Sequence, residues 1–179
     1  MKILHYSDAG SPDFLKLYSE ADILITTGDL SLFDFAGLEN ISPEIPSFGV
    51  YGNHDTRGYL EQLNILNLHN KIVEFNGLKL GGFQGCLQYK ETSEFQFSEN
   101  EAKVFADTFP YVDILLLHVG PKGMLDAPDP VHQGSEHIRR YVLEKQPKFI
   151  FVGHEHSTAN LQVGPTKIYR TFRTSLLTI

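Results

Sequence analysis

Short apolar runs that each end abruptly in a polar residue recur along this chain, and they limit what it can fold into. The runs are Ile3–Tyr6, Asp22–Thr27, Ser47–Tyr51, Asp113–Leu117 and Phe149–Val152. Asp8, Asp29, Asn53-His54, His118 and His154-Glu155-His156 follow them directly. Apolar, β-branched and aromatic runs of this length read as strands buried on both faces. After the first strand, Ser11-Pro12 offers a helix start, and Phe14, Leu15, Leu17 and Tyr18 recur at helical spacing to about Ala21. Leu32 to Leu38 predicts a second short helix. Strand, polar tip and helix in repetition argue for parallel strands joined by crossovers.

The middle of the chain changes character. Lys71–Phe75 and Leu78–Phe83 flank Asn76-Gly77, the strongest short hairpin signal. Tyr89–Phe97 carries no assignable pattern. Ser98 with Glu101 predicts a capping box opening a helix to about Thr108. A proline-rich loop, Pro121–Gln133, and a helix over Gly134–Gln146 precede the Phe149 strand. Gly164-Pro165 then predicts a hairpin between Leu161–Val163 and Lys167–Thr171, and Ser175–Ile179 a last strand.

The bulk properties exclude several classes. At 179 residues, 41% hydrophobic and 21% charged, the chain reads as one soluble domain, 1–179. No run approaches a membrane span, and MKILHYSDAG reads as a core strand and not as a signal peptide. The single cysteine, Cys86, excludes an intrachain disulfide framework and fits a reducing cytoplasm. A net charge of −7, without clustered basic residues, argues against a nucleic-acid polymer as partner. It does not argue against a small phosphorylated substrate, because divalent cations would supply local positive charge.

The polar tips share one structural context. In open α/β sheets the crevice outside the carboxyl ends of the strands is where ligands bind. His154 and His156, two apart in an extended segment, point the same way and form a pincer for a metal ion or a phosphate. Imidazoles and carboxylates without a thiolate suit Zn²⁺, Mn²⁺, Fe or Ni²⁺. Singly, Asp8 and Asp29 read as caps or turn residues, Asn53 as a turn residue and His118 as a satisfied strand-end histidine. The metal reading rests on the set.

Asp8, Gly28-Asp29, Gly52-Asn53-His54-Asp55, His118 and Gly153-His154-Glu155-His156 resemble, in order and spacing, the motifs of calcineurin-like metallophosphoesterases. The resemblance implies a four-layer α-β-β-α sandwich of two mixed sheets flanked by helices. It implies two divalent ions bridged by Asp29, with Asp8 and His156 completing the first shell and Asn53, His118 and His154 the second. A hydroxide held between the ions would attack phosphorus. His54 would assist the leaving oxygen, and Asp55 would orient His54. The family's first motif is Asp-x-His, whereas this chain has Asp8-Ala9-Gly10, so the first ion lacks a ligand. His5, three residues back along the strand, faces the other way.

A metal-dependent phosphoesterase acting on a small phosphodiester, or second a phosphomonoester, is the function this resemblance implies. A protein-binding scaffold that has lost catalysis is the alternative, and Gly10 favours it. His132, with Asp126 and Asp129, lies in a loop of the right length to cover the site and is a candidate substrate contact.

Overall fold

The computed structural model describes residues 1–30, 44–90 and 94–179. The chain opens with β1 (Lys2–Ser7), α1 (Phe14–Tyr18), β2 (Ile23–Thr26) and β3 (Ser47–Gly49). It continues through α2 (Tyr59–Gln62), β4 (Leu66–Asn67), β5 (Ile72–Phe75) and β6 (Leu78–Phe83). Two short strands, β7 (Cys86–Leu87) and β8 (Gln96–Phe97), lead into α3 (Glu99–Thr108) and β9 (Ile114–Leu117). The remainder is α4 (Glu136–Lys145), β10 (Phe149–Val152), β11 (Ala159–Val163), β12 (Thr166–Arg170) and β13 (Arg173–Thr178). The expected helix over Leu32 to Leu38 lies outside the described residues.

The strands form two large mixed sheets. One has the order β13-β1-β2-β3-β4 and the other β11-β12-β10-β9-β6-β5, while β7 and β8 make a separate pair. The strands ending in the polar tips are the parallel ones: β1, β2 and β3 in the first sheet, β9 and β10 in the second. Their carboxyl ends therefore point the same way within each sheet. Antiparallel strands close the margins, β13 against β1, β5 against β6 and β11 against β12.

Period-two alternation sorts each parallel strand between two apolar interiors. Ile3, Ile23, Ile25 and Val50 of the first sheet meet Leu80, Ile114, Leu116 and Phe151 of the second, all buried. The intervening residues Leu4, Tyr6 and Leu24 turn outward against Phe14 and Tyr18 of α1 and Leu60 of α2. On the far side, Leu115, Leu117, Ile150 and Val152 pack under Phe105 of α3 and Ile138 and Tyr141 of α4. Burying each such side chain contributes about 1.5–3 kcal/mol. Helix, sheet, sheet, helix is the expected four-layer order.

Local chemistry explains most of the boundaries. The Asn76-Gly77 hairpin forms with φ of 50° and 74° at its two turn residues, the left-handed pair that a tight primed turn needs. Ser98 and Glu101 close the capping box of α3 reciprocally. The start of α1 departs from expectation. Ser11 does not cap it, because the Ser11 hydroxyl is bonded to that of Thr174 on β13 at 2.9 Å. The cap position falls to Asp13, which makes no side-chain capping bond, and the helix ends at Tyr18, short of Ala21. Among the described residues no helix is long and apolar enough to cross a membrane.

Candidate metal centre

Three of the site residues leave their strands in the left-handed region. Asp8 has φ 68°, Asp29 φ 56° and His154 φ 69°, conformations that cost a non-glycine residue free energy unless its surroundings hold it there. Packing of the neighbouring loops supplies that hold. A Cβ on Gly52 would sit 2.2 Å from Asp29 Oδ1, and one on Gly153 would sit 2.1 Å from Ser7 Oγ and 2.5 Å from Asp8 Oδ2. The glycines before Asn53 and before His154 are thus required by close approach. They let the tips of β1, β2, β3 and β10 meet.

Asp55 locks two of these loops together. Its carboxylate accepts the backbone N–H of Asp29 at 2.8 Å, of Leu30 at 2.6 Å and of Gly52 at 2.7 Å. Asp29 Oδ1 in turn accepts the N–H of His54 at 2.8 Å. Asp8 ties in the far loop, its two oxygens each 3.0 Å from the His154 N–H that donates to them.

The imidazoles converge on one point. His118 is fully buried and its Nδ1–H donates to the Thr27 carbonyl at 2.6 Å. That bond leaves Nε2 facing Asn53 Oδ1 at 3.0 Å, His154 Nδ1 at 3.0 Å and Asp29 Oδ2 at 3.5 Å. His154 repeats the arrangement, with Nε2–H donating to the Val131 carbonyl at 2.8 Å and Nδ1 aimed inward. Ligand atoms of Asp29, His118 and His154 all lie within 4.8 Å of one another. A histidine ligand held by a hydrogen bond from its other nitrogen is the usual support of a metal site.

The electrostatics agree. Burial would raise the Asp29 carboxyl, but the His118 imidazole and the His54 amide outweigh it and hold it at about 2. Burial would lower His118, yet Asp29 and Asp8 raise it to about 9. Burial together with the His118 charge pushes His154 down to about 3. Without metal, one proton therefore sits on His118 Nε2, between ligands that would otherwise repel each other. The centre is built to hold positive charge at that point, and a divalent ion meets the same demand. Asn53, Asp29, His118 and His154 fit such an ion.

Residues 1–158 match the profile of the calcineurin-like phosphoesterases. The chain belongs to that family. As a calcineurin-like phosphoesterase it is a metal-dependent hydrolase of phosphate esters. No curated protein matches the chain. Among solved structures, TT1561 of Thermus thermophilus is 18% identical with a TM-score of 0.66, over 96% of this chain and 89% of its own. A novel archaeal phosphodiesterase is 17% identical with a TM-score of 0.50, over 97% of this chain and 84% of its own. Vps29 complexed with Zn²⁺ from Entamoeba histolytica is 16% identical with a TM-score of 0.50, over 97% of this chain and 74% of its own. At these identities the likeness is one of fold.

In this phosphoesterase the residues that the resemblance assigns to a first ion are less well assembled. Asp8 is buried at the centre, and burial, opposed in part by His118, pushes its carboxyl up to about 7. His156 is exposed, and its ring stacks on Phe172 with centroids 5.1 Å apart. Gly10 offers no side chain. His5 does not substitute: it is fully buried between the sheets, bonded through Nε2 to Thr27 Oγ1 at 2.9 Å and edge-on to Phe151.

His54 stands exposed beside the centre. His132 reaches the centre's edge, its ring centroid 4.9 Å from that of His154, with Nδ1 held by Asp129 at 2.9 Å. Asp126 serves the loop itself, accepting the N–H groups of Gly123 and Gly134. The start of α4 is capped internally, Ser135 Oγ accepting from His137 and Ile138, so those amides are already spent. Three contributors carried no usable sequence signal. They are the carbonyls of Thr27 and Val131, which orient the imidazoles, and Tyr89, whose hydroxyl takes an N–H from Asn53 Nδ2 at 3.4 Å.

Proposed function

We propose that the chain hydrolyses a small phosphodiester, with a phosphomonoester second, using divalent metal bound by Asp29, Asn53, His118 and His154. The observation that carries this reading is the convergence of two imidazole nitrogens, each with its other nitrogen donating to a backbone carbonyl, beside the Asp29 carboxylate. Metal bound there supplies Lewis acidity to a phosphoryl oxygen and acidifies a water. Asp29 brings the negative charge that holds the ion, and Asn53 a neutral oxygen. Asp55 keeps the Asp29 and Asn53 loops in register through its three backbone amides. His54, exposed at the centre's edge, gives a proton to the departing oxygen.

A second ion would rest on Asp8, Asp29 and His156, the set that Gly10 leaves short. A first position with fewer ligands binds its metal more weakly. A buried core thiol, Cys86, pushed up to about 12 by burial and then by the Asp29 charge, is inert and suits a cytoplasmic enzyme.

The scaffold reading, which Gly10 favours, has one structural observation beside it: the His156 ring is turned to Phe172. Hydrolysis of bis-p-nitrophenyl phosphate and p-nitrophenyl phosphate with added Mn²⁺, Ni²⁺ or Zn²⁺ separates the two. Turnover with one bound ion or more per chain is the expected result. No turnover with any metal, together with less than one ion per chain, would overturn the esterase reading.

A further inference from the structure

Where β12 of the second sheet hands the chain to β13 of the first, Thr171 and Phe172 cross at the site end of the sandwich. Thr171 N–H donates to the Val152 carbonyl at the tip of β10, and Phe172 N–H to Thr158 Oγ1. The next residue is Arg173, directly opposite Ser7 in the β1–β13 ladder and so one residue from Asp8. Its φ is 71°, a left-handed conformation in which glycine would be free of strain. Non-glycine residues persist in such conformations where the surroundings fix them, and functional sites are where they cluster.

The side chain is placed but uncommitted. The Arg173 guanidinium lies over the Phe172 ring, 5.5 Å from its centroid, and the same ring carries His156. Among the described residues Arg173 makes no ion pair and no side-chain hydrogen bond. Its neighbour Arg170 differs: Nε and Nη2 donate to Ser157 at 2.9 and 2.7 Å. Arg170 braces the turn after His156, whereas Arg173 keeps all its donors available. In a chain with a net charge of −7, a guanidinium without a carboxylate partner among the described residues stands on the residue whose backbone lies across the ladder from Ser7, next in sequence to the buried Asp8.

We infer that Arg173 is a substrate-binding residue that grips the non-reacting phosphoryl oxygens from the Asp8 side of the centre. This rests on the phosphoesterase reading and deepens it. A guanidinium offers two parallel N–H donors that match two phosphate oxygens, and it stays charged at any working pH. It thus brings positive charge to the flank where Gly10 leaves the first ion's shell short. Its Phe172 platform holds the side chain in place before the substrate arrives.

The test uses the full chain loaded with Mn²⁺, freed of excess metal and titrated calorimetrically with inorganic phosphate. Arg173→Gln should weaken phosphate binding about tenfold with metal content unchanged, and Arg173→Lys less. Arg173→Gly should weaken it as much as the glutamine variant while raising Tm, because the left-handed strain is relieved. This second variant keeps the test valid should Arg173→Gln fold poorly. Phosphate affinity unchanged in both the glutamine and glycine variants, or a wild-type protein that binds no phosphate, would overturn the inference. Phosphate binding that depends on Arg173 in a protein that cleaves no ester would support the inference and count against the esterase reading.

Discussion

His118 Nε2 and His154 Nδ1 face each other at 3.0 Å, each imidazole anchored through its other nitrogen to a main-chain carbonyl. Two bare nitrogens at that separation call for a cation between or beside them, and the nearby Asp29 and Asn53 oxygens would complete its shell. In metal-free protein the cation is the His118 proton, so metal and proton compete for one place. Mn²⁺ should raise Tm at pH 8 and do so less as the pH falls below the raised His118 value of about 9. His118→Ala should remove the metal-dependent shift in calorimetry and the bound metal in elemental analysis. A shift preserved in that variant would place the ion elsewhere.

His54 and Asp55, adjacent in sequence, should separate cleanly by experiment. His54→Ala should reduce kcat by about 10²–10⁴-fold with Tm and metal content near wild type, as loss of a proton donor does. Loss of metal in that variant would make His54 a ligand.

Asp55→Ala should instead lower stability. Three buried N–H groups lose their acceptor, those of Asp29, Leu30 and Gly52. Urea denaturation should register a loss of about 3 kcal/mol, taking one to a few kcal/mol for each unmet buried donor and allowing for relaxation. A neutral effect would show that these loops hold their positions without the carboxylate.

Gly10→His returns a ligand to the Asp8 side. We expect elemental analysis to find more metal per chain than in wild type, and turnover to rise at limiting Mn²⁺. An unchanged stoichiometry and rate would mean that the gap at Gly10 does not limit metal binding.

His5 predicts an acid sensitivity. Burial between the sheets lowers it to about 3, while an unfolded chain would protonate near 6.5. The unfolded state therefore binds the extra proton first. Stability is complete above pH 6.5 and declines as pH falls towards 3, by up to about 4–5 kcal/mol for this group. His5→Val should flatten the decline in denaturation measured at pH 7, 5 and 4 with metal-free protein. An equally steep decline in the variant would assign it to other groups, such as His154.

The strands that deliver the site were legible because each is apolar on both faces and ends in a polar residue. Strand ends and spacing placed Asp29, Asn53, His118 and His154 at one end of the sheets, whereas their separate roles as ligands came from the resemblance to the calcineurin-like phosphoesterases. The two-residue strands β4, β7 and β8 and the single turn of α2 were not legible, since pieces that short exist only through their tertiary neighbours. Ser11 misled because a hydroxyl that can cap a helix can equally bond a strand, and only the fold brought Thr174 within 2.9 Å. His154 and His156 looked like twin ligands because extended spacing aligns them. Left-handed backbone at His154 breaks that alignment, turning one ring to the centre and the other to Phe172.

The antiparallel pairing of β1 with β13 also sets an order of events. Ser7, which leads into Asp8, is bracketed by β2 on one side and by Arg173 on the other. During synthesis β2 is available early, but residues 173–178 emerge only after the whole second sheet. Until then β1 is an open edge and the loop carrying Asp8 has one wall missing. The enzyme cannot be assembled from its amino end forwards; its flank at Asp8 closes last, and a ribosome-bound chain lacking β13 should be without it.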